Sequence, residues 1–355
     1  MNHRFRCMHC IIPPHMMDSI SVNGDAAQRK WATSALREDE DLRVARNALH
    51  VDATPDAVAA LLAAAPPATP GLYREVFDGG SRATLPGNLV RREGDPPTGD
   101  DAVDEAYDGA GCTYNLYNDE YNRNSLDGAG MALVSTVHHR RQYNNAFWNG
   151  QQMAYGDGDG QIFTRFTQSL AVVGHELSHG MVHHEGGLVY SHQSGALNEH
   201  VADVFGMLVD QREQGQEAHE SDWLIGREIL GPNINGDALR TMRAPGTAYS
   251  DPVLGQDIQP YHMRGLVRTQ QDNGGVHINS GIPNHAFYLV AQYFGGRAWE
   301  APGQIWYQAL VALNNRFAQF TEFADLTVQT ARKIHGAGSA EEGHVRRAWR
   351  LVDVL

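Results

Sequence analysis

Gly174-His175-Glu176-Leu177-Ser178-His179-Gly180 sets two histidines four residues apart, with a glutamate after the first, inside an apolar run of helical character. A helix advances 3.6 residues per turn, so His175 and His179 share one face and both imidazoles can reach a single metal ion. Glu176 lies about 100° round the same helix. It is near enough to take a proton from a water activated by that ion and too far round to be a good ligand, which is the arrangement zinc-assisted hydrolysis requires.

A zinc site of this kind needs a third protein ligand. Ser194 opens a second helical pattern, with Leu197, Val201, Val204 and Leu208 at helical spacing, and Glu199 and Asp203 four apart on one face. A carboxylate beside such a stripe needs a partner, and zinc plus a histidine would satisfy both. Glu199 is therefore expected as the third ligand, and Asp203 as the acceptor that fixes the tautomer of a ligand histidine. His183 continues the row of His175 but lies about 12 Å along the axis at 1.5 Å per residue, too far to share the ion, so it is expected in solvent. His200, adjacent to Glu199, points elsewhere and reads as a surface histidine.

These residues resemble the thermolysin family and, within it, the protealysin-like branch. The resemblance runs from about Leu85 to the C-terminus and is carried by HELSH, by the glutamate of GALNEHVADVFG twenty positions after His179, and by several further segments. Those are Tyr143 to Gly150 (YNNAFWNG), Tyr155 to Gly160 (YGDGDG), Gly187 to Tyr190 (GLVY), Leu239-Arg240, and Asp272 to Gly281 (DNGGVHINSG). It implies a zinc metalloendopeptidase with one catalytic ion, His277 and Tyr190 as donors to the oxyanion, and Asp272 holding the imidazole of His277. It further implies that Asn145 and the backbone of Ala146 pair with an extended peptide and that Arg240 binds a substrate carbonyl. Val172 and Leu239 would wall the pocket for a bulky hydrophobic residue after the cut. Secreted members bind structural calcium, but here the matching positions are Ala171, Asp210, Asp222, Leu224 and Arg227. The two-ion site is expected to hold no calcium, with Arg227 pairing Asp210 and Asp222 in its place.

The expected fold is α+β and two-lobed: a β-rich lobe over 70–190 that ends in the zinc helix, and a helical lobe over 191–355 with the metal at their junction. Asn149-Gly150 signals a hairpin with a type I′ turn, and Asp157-Gly158-Asp159-Gly160 a glycine-rich turn. Residues 1–69 read as a propeptide and linker. Pro13-Pro14-His15-Met16 resembles the branch's short propeptides, a helical stretch runs through Ala48, and Leu61 to Pro70 is Ala/Pro-rich and open to cleavage. Such a segment would inhibit its own enzyme, which is then made as a zymogen; Cys7-Met8-His9-Cys10, too short and without a second pair, reads as incidental, with a thiolate or imidazole at the open zinc position as the alternative.

Over 355 residues the net charge is −14, which argues against a nucleic-acid partner. Three cysteines do not make a disulfide framework, and the chain has no run of eighteen apolar residues to span a membrane. The resemblance implies a secreted enzyme, although the first thirty residues lack the apolar core of a standard signal peptide; a cytoplasmic location is the alternative. The chain is expected to act as a monomer on peptides and proteins. A structural zinc module would need a fourth protein ligand and no Glu176, and a zinc aminopeptidase would need a group that anchors a free α-amine.

Overall fold

The computed structural model describes residues 9–37 and 71–355. Cys7, positions 38–48 of the expected helical stretch and the Ala/Pro linker up to Pro70 lie outside the described residues. Strands β1 (His9–Cys10), β2 (Arg74–Asp78), β3 (Asn88–Arg92), β4 (Leu133–Val137), β5 (Ala146–Trp148) and β6 (Met153–Tyr155) form one mixed sheet in the order β1-β5-β6-β4-β2-β3. β4 runs parallel to both of its neighbours and is buried along its whole length, as a central parallel strand must be.

β5 and β6 are the hairpin expected around Asn149-Gly150, but the turn differs. Trp148 pairs with Met153, which leaves residues 149–152 as the loop, and Gly150 takes positive φ while Asn149 does not. Asn149 Oδ1 instead accepts from the backbone N–H groups of Gln151 and Gln152, each at 2.9 Å, and this Asx turn reverses the chain without a type I′ pair.

N-terminal to this sheet, α1 (Pro14–Asn23) and a second helix, α2, over residues 26–37 follow β1. Pro13 is extended (φ −73°, ψ 152°) and Pro14 opens α1, where a missing N–H costs nothing. Ser19 Oγ donates to the Val253 carbonyl at 2.8 Å, and His15 Nε2 lies 3.1 Å from Tyr249 Oη. The N-terminal segment therefore bridges the two lobes, with β1 on the sheet and α1 on the C-terminal half.

Helix α3 (Asp101–Asn115) covers the sheet, its N-terminus capped by Asp100, whose carboxylate accepts from Ala102 and Val103. α4 (Leu170–His184) and α5 (His192–Gln214) cross at the lobe junction, buried without a break over Ala171–Val182 and Ser194–Val209 respectively. Their closeness depends on glycine. A Cβ on Gly206 would stand 2.4 Å from the Ala171 carbonyl oxygen and 2.7 Å from the His175 nitrogen, and one on Gly174 would stand 3.0 Å from Gly206 Cα.

The second half is not helical from Ser191 onward as expected. Residues 215–271 are largely irregular, with two small ladders, β7 (Leu224–Ile225) with β8 (Arg240–Thr241) and β9 (Ser250–Asp251) with β10 (Gly255–Gln256). Gly231-Pro232, Pro245-Gly246 and Pro252 interrupt any helical run there. Helices resume as α6 (Asp272–Asn279), α7 (Gly281–Phe294), α8 (Ala301–Val311), α9 (Phe320–His335) and α10 (Ala340–Leu351). Their core is aromatic: Trp306 stacks on Trp349 with centroids 6.0 Å apart, and its edge meets Phe287 at 4.9 Å.

Gly206→Ala should cost roughly 1–3 kcal/mol, the range for overpacking a tight contact, and should weaken zinc binding as well, because the methyl presses on the His175 backbone. Chemical denaturation and metal titration measure the two effects. Wild-type values in both would mean that the helix crossing relaxes freely.

Candidate active site

α4 and α5 bring His175 Nε2 and His179 Nε2 to 3.0 Å of each other, with the Glu199 carboxylate 3.6 Å and 3.5 Å away. All three side chains are buried. A tetrahedral ion with ligands at about 2.0–2.1 Å holds its donors about 3.3 Å apart, so this triangle fits zinc. The tautomers make the same point. His179 Nδ1 is 2.8 Å from Asn198 Oδ1, whose amide nitrogen donates to the Leu188 carbonyl at 3.2 Å, so the imidazole must donate through Nδ1 and present a lone pair at Nε2. His175 Nδ1 lies 2.8 Å from Asp203 Oδ1, a short contact turned off the ideal hydrogen-bond line, and its Nε2 likewise faces inward. Two imidazole lone pairs and a carboxylate converge in a buried site, an arrangement a divalent cation satisfies.

Asp203 is held from several sides. Arg240 donates to it through Nε at 3.2 Å and Nη2 at 2.9 Å, and Asn284 Nδ2 donates to Oδ2 at 2.8 Å. Burial alone would raise its pKa, but Arg240 and His175 outweigh that and hold it below the ordinary carboxylate range. Glu199 is likewise lowered against burial, by His277, His179 and His175.

Glu176 is fully buried beside this triangle. Its Oε2 accepts from Trp148 N–H at 2.9 Å, and Oε1 has no hydrogen-bond partner among the described residues. Burial, reinforced by the charge of Glu199, pushes its pKa well above the ordinary value.

On the far side of the triangle, residues 272–275 are all left-handed at φ between 50° and 87°, which Gly274 and Gly275 accept without strain. This coil turns Asp272 back on His277: Oδ1 is 2.6 Å from Nδ1, and Oδ2 accepts the His277 backbone N–H at 2.9 Å. Burial opposes the charge on His277, but the carboxylates of Glu199 and Asp272 raise its pKa to about 9. Its Nε2 points to the Tyr190 hydroxyl at 3.1 Å, and that hydroxyl donates in turn to Glu199.

The N-terminal segment lies in this cleft. β1 pairs antiparallel with β5, Cys10 opposite Phe147. Ile11 N–H donates to the Ala146 carbonyl at 3.3 Å and Ile12 N–H to Asn145 Oδ1 at 3.2 Å. Arg240 Nη1 reaches the Ile11 carbonyl at 3.2 Å, and His277 Nε2 the Cys10 carbonyl at 3.1 Å. Val172 and Leu239 are buried in the same apolar cluster as Ile11. The Cys10 side chain packs against Tyr143, Phe147 and Ala154.

Residues 76–183 match the model of the thermolysin metallopeptidase catalytic domain, and residues 186–354 that of the thermolysin metallopeptidase alpha-helical domain. The chain belongs to the thermolysin family. It is 46% identical over 345 residues to an extracellular metalloprotease of Pectobacterium carotovorum subsp. carotovorum, covering 97% of this chain and 96% of that one. The precursor of protealysin, a metalloproteinase from Serratia proteamaculans, shares the fold with a TM-score of 0.87 at 44% identity, over 98% of this chain and 100% of that one. A thermolysin of Alicyclobacillus acidocaldarius subsp. acidocaldarius is 41% identical over 288 residues, which span 78% of this chain and 50% of that protein. The chain is a thermolysin-like zinc endopeptidase of the protealysin-like branch.

Two expectations need correction in this family member. His200 is not a surface histidine: it is fully buried, with Nδ1 2.8 Å from Asn284 Oδ1 and Nε2 accepting from Trp306 Nε1 at 2.8 Å. α5 is enclosed on all sides, so a residue that faces away from the metal still faces protein. Arg227 pairs with Asp222 at 2.5 Å, but the hydrogen bond of Asp210 goes to Gln214 at 2.9 Å. His183 is exposed, as expected.

Sequence reasoning missed Asn198, Asn284 and Trp306. The available signal was polar residues inside apolar helices. Trp306 donates to His200, His200 to Asn284, and Asn284 to Asp203, so every donor and acceptor in the row is matched when His200 is neutral. Burial lowers its pKa to about 4, which keeps it neutral. His200→Phe should weaken zinc binding about tenfold by letting Asn284 turn away from Asp203. Chelator competition measures it, and a lower melting point with unchanged zinc affinity would reduce the row to packing.

Proposed function

We propose that residues 1–69 form a propeptide that inhibits its own enzyme by lying in the cleft, and that the lobes over 70–190 and 191–355 cut internal peptide bonds before a bulky hydrophobic residue. The observation that supports this most is the backbone pairing of Cys10 to Ile12. An extended peptide there takes main-chain bonds from β5, Asn145 and Arg240 that do not depend on its side chains, the strand-addition mode by which a protease binds many sequences. The burial of Val172, Leu239 and Ile11 alike supports the aliphatic preference.

Bound by His175, His179 and Glu199, zinc would lower the pKa of a water and polarise the scissile carbonyl. The chain does the rest. Glu176, held at Trp148 and short of one hydrogen bond, takes the proton of the attacking water and hands it to the leaving amine. As negative charge grows on the carbonyl oxygen, His277 and Tyr190 donate to it, and Asp272 keeps the imidazole oriented and charged. Asp203 and Asn198 fix the two ligand imidazoles.

A secreted monomer acting on peptide and protein substrates fits this reading, and the relative from Pectobacterium is named extracellular. No helix among the described residues is long and apolar enough to cross a membrane. At the two-ion calcium position, Leu224 and Arg227 leave too few carboxylates for calcium, which needs six to eight oxygen ligands.

Glu176→Ala should keep zinc and fold but lose nearly all hydrolysis of a casein-type substrate, and should stay full length on storage while wild type shortens to a product beginning between Val51 and Leu72. Metal analysis, activity and intact mass are the readouts. Substantial activity in the variant would remove Glu176 from its role, and wild type that is full length and fully active would remove the zymogen.

Millimolar calcium should shift the melting temperature little and zinc removal far more, because an ion without a site in the native state cannot stabilise it. Calorimetry with each ion decides this. A calcium-dependent rise of roughly ten degrees would reveal a carboxylate site elsewhere.

A further inference from the structure

We infer that the Cys10–Ile11 peptide bond lies in the hydrolytic register of the cleft and is the enzyme's own first substrate. This rests on the roles given above to Glu176 and His277. The carbonyl that faces an oxyanion donor belongs to the bond under attack, and here that carbonyl is Cys10, 3.1 Å from His277 Nε2. The next residue supplies the leaving nitrogen. Ile11 N–H is held by the Ala146 carbonyl at 3.3 Å. The carbonyl of Ile11 is fixed by Arg240, its side chain is fully buried, and Ile12 N–H is fixed by Asn145. Every backbone group from the Cys10 carbonyl to the Ile12 N–H is thus engaged, and the residue after the bond is aliphatic.

The step balances with water alone. The water oxygen bonds to the Cys10 carbonyl carbon, the C–N bond to Ile11 breaks, and Glu176 carries one water proton to the Ile11 nitrogen. The products are a carboxylate at Cys10 and an amino terminus at Ile11.

The two products are held very unequally. The C-terminal one keeps buried Ile11, Ile12, Met16, Met17 and Ile20, the bond of Ser19 to Val253 and the contact of His15 with Tyr249. Within the described residues the N-terminal one keeps the two-residue strand β1 and the packing of the Cys10 side chain. The cut therefore separates Cys10 from Ile11 while the C-terminal product still fills the cleft, so nicking and activation are separate events, and activation waits for a cut in the linker.

The test follows the purified, zinc-loaded full chain by intact mass and N-terminal sequencing, with an external reporter peptide assayed in the same samples. A species beginning at Ile11 should accumulate before reporter cleavage rises, at a first-order rate independent of protein concentration. Glu176→Ala should not form it. Added active wild type should cut the linker of Glu176→Ala in trans yet leave Cys10–Ile11 intact, since that bond is shielded in its own cleft. Ile11→Gly should slow the nick about ten- to hundredfold, by loss of the buried side chain, while the enzyme freed of its segment cleaves the reporter at the wild-type rate. Wild type that matures and cleaves the reporter without passing through an Ile11 terminus would overturn the proposal, as would a nick whose rate rises with protein concentration. Failure of the matured protein to cleave any peptide would instead overturn the roles of Glu176 and His277, and the proposal with them.

Discussion

Two imidazole lone pairs and a carboxylate face one another within 3.6 Å at the centre of this molecule, buried from the protein surface. Two lone pairs and a carboxylate aimed at one point repel one another at low dielectric, and a divalent cation placed there turns the interaction attractive. The helices that carry the triangle cross at the Gly174–Gly206 contact, so the metal binds where the two lobes are joined. Metal binding and the union of α4 with α5 are consequently one free-energy term, as in other sites where ligands from separate elements converge on an ion.

From that centre outward, each charge is answered by another. Asp203 orients His175 and is held by Arg240 and Asn284; Asn198 orients His179; Asp272 orients His277. Arg240 has two duties at once. It braces Asp203 behind the metal with Nε and Nη2 and offers Nη1 to a peptide carbonyl in front, so the peptide and the metal ligands share a rigid intermediary. A guanidinium suits this position because its planar fork donates in several fixed directions, which an ammonium group does not.

An exposed sheet edge is a hazard in most proteins, since its unpaired backbone groups can recruit other chains. In this sheet one such edge, β5, is occupied by a segment of the chain itself. β1 covers it in the chain as described, and the two prolines that follow turn the segment into α1 and onto the other lobe. A single short segment thus shields the edge and spans the cleft, using contacts that an extended peptide would make.

What the sequence by itself determined is what a regular element expresses locally. The spacing of His175, Glu176 and His179 on one helix, and of Glu199 and Asp203 on another, follows from 3.6 residues per turn. The hairpin was visible in Asn149-Gly150, but not its turn, because the Asn149 side chain offered a second way to reverse the chain. His200 was misplaced because adjacency to Glu199 says which way it points and nothing about what stands there; only the packing of α7 and α8 around α5 put Asn284 and Trp306 in its path. The backbone contacts of Cys10 and Ile11 were equally hidden, since peptide groups are the same at every residue. Which of them meets His277 or Arg240 is decided by how chain segments more than two hundred residues apart are brought together, and that is a property of the tertiary structure.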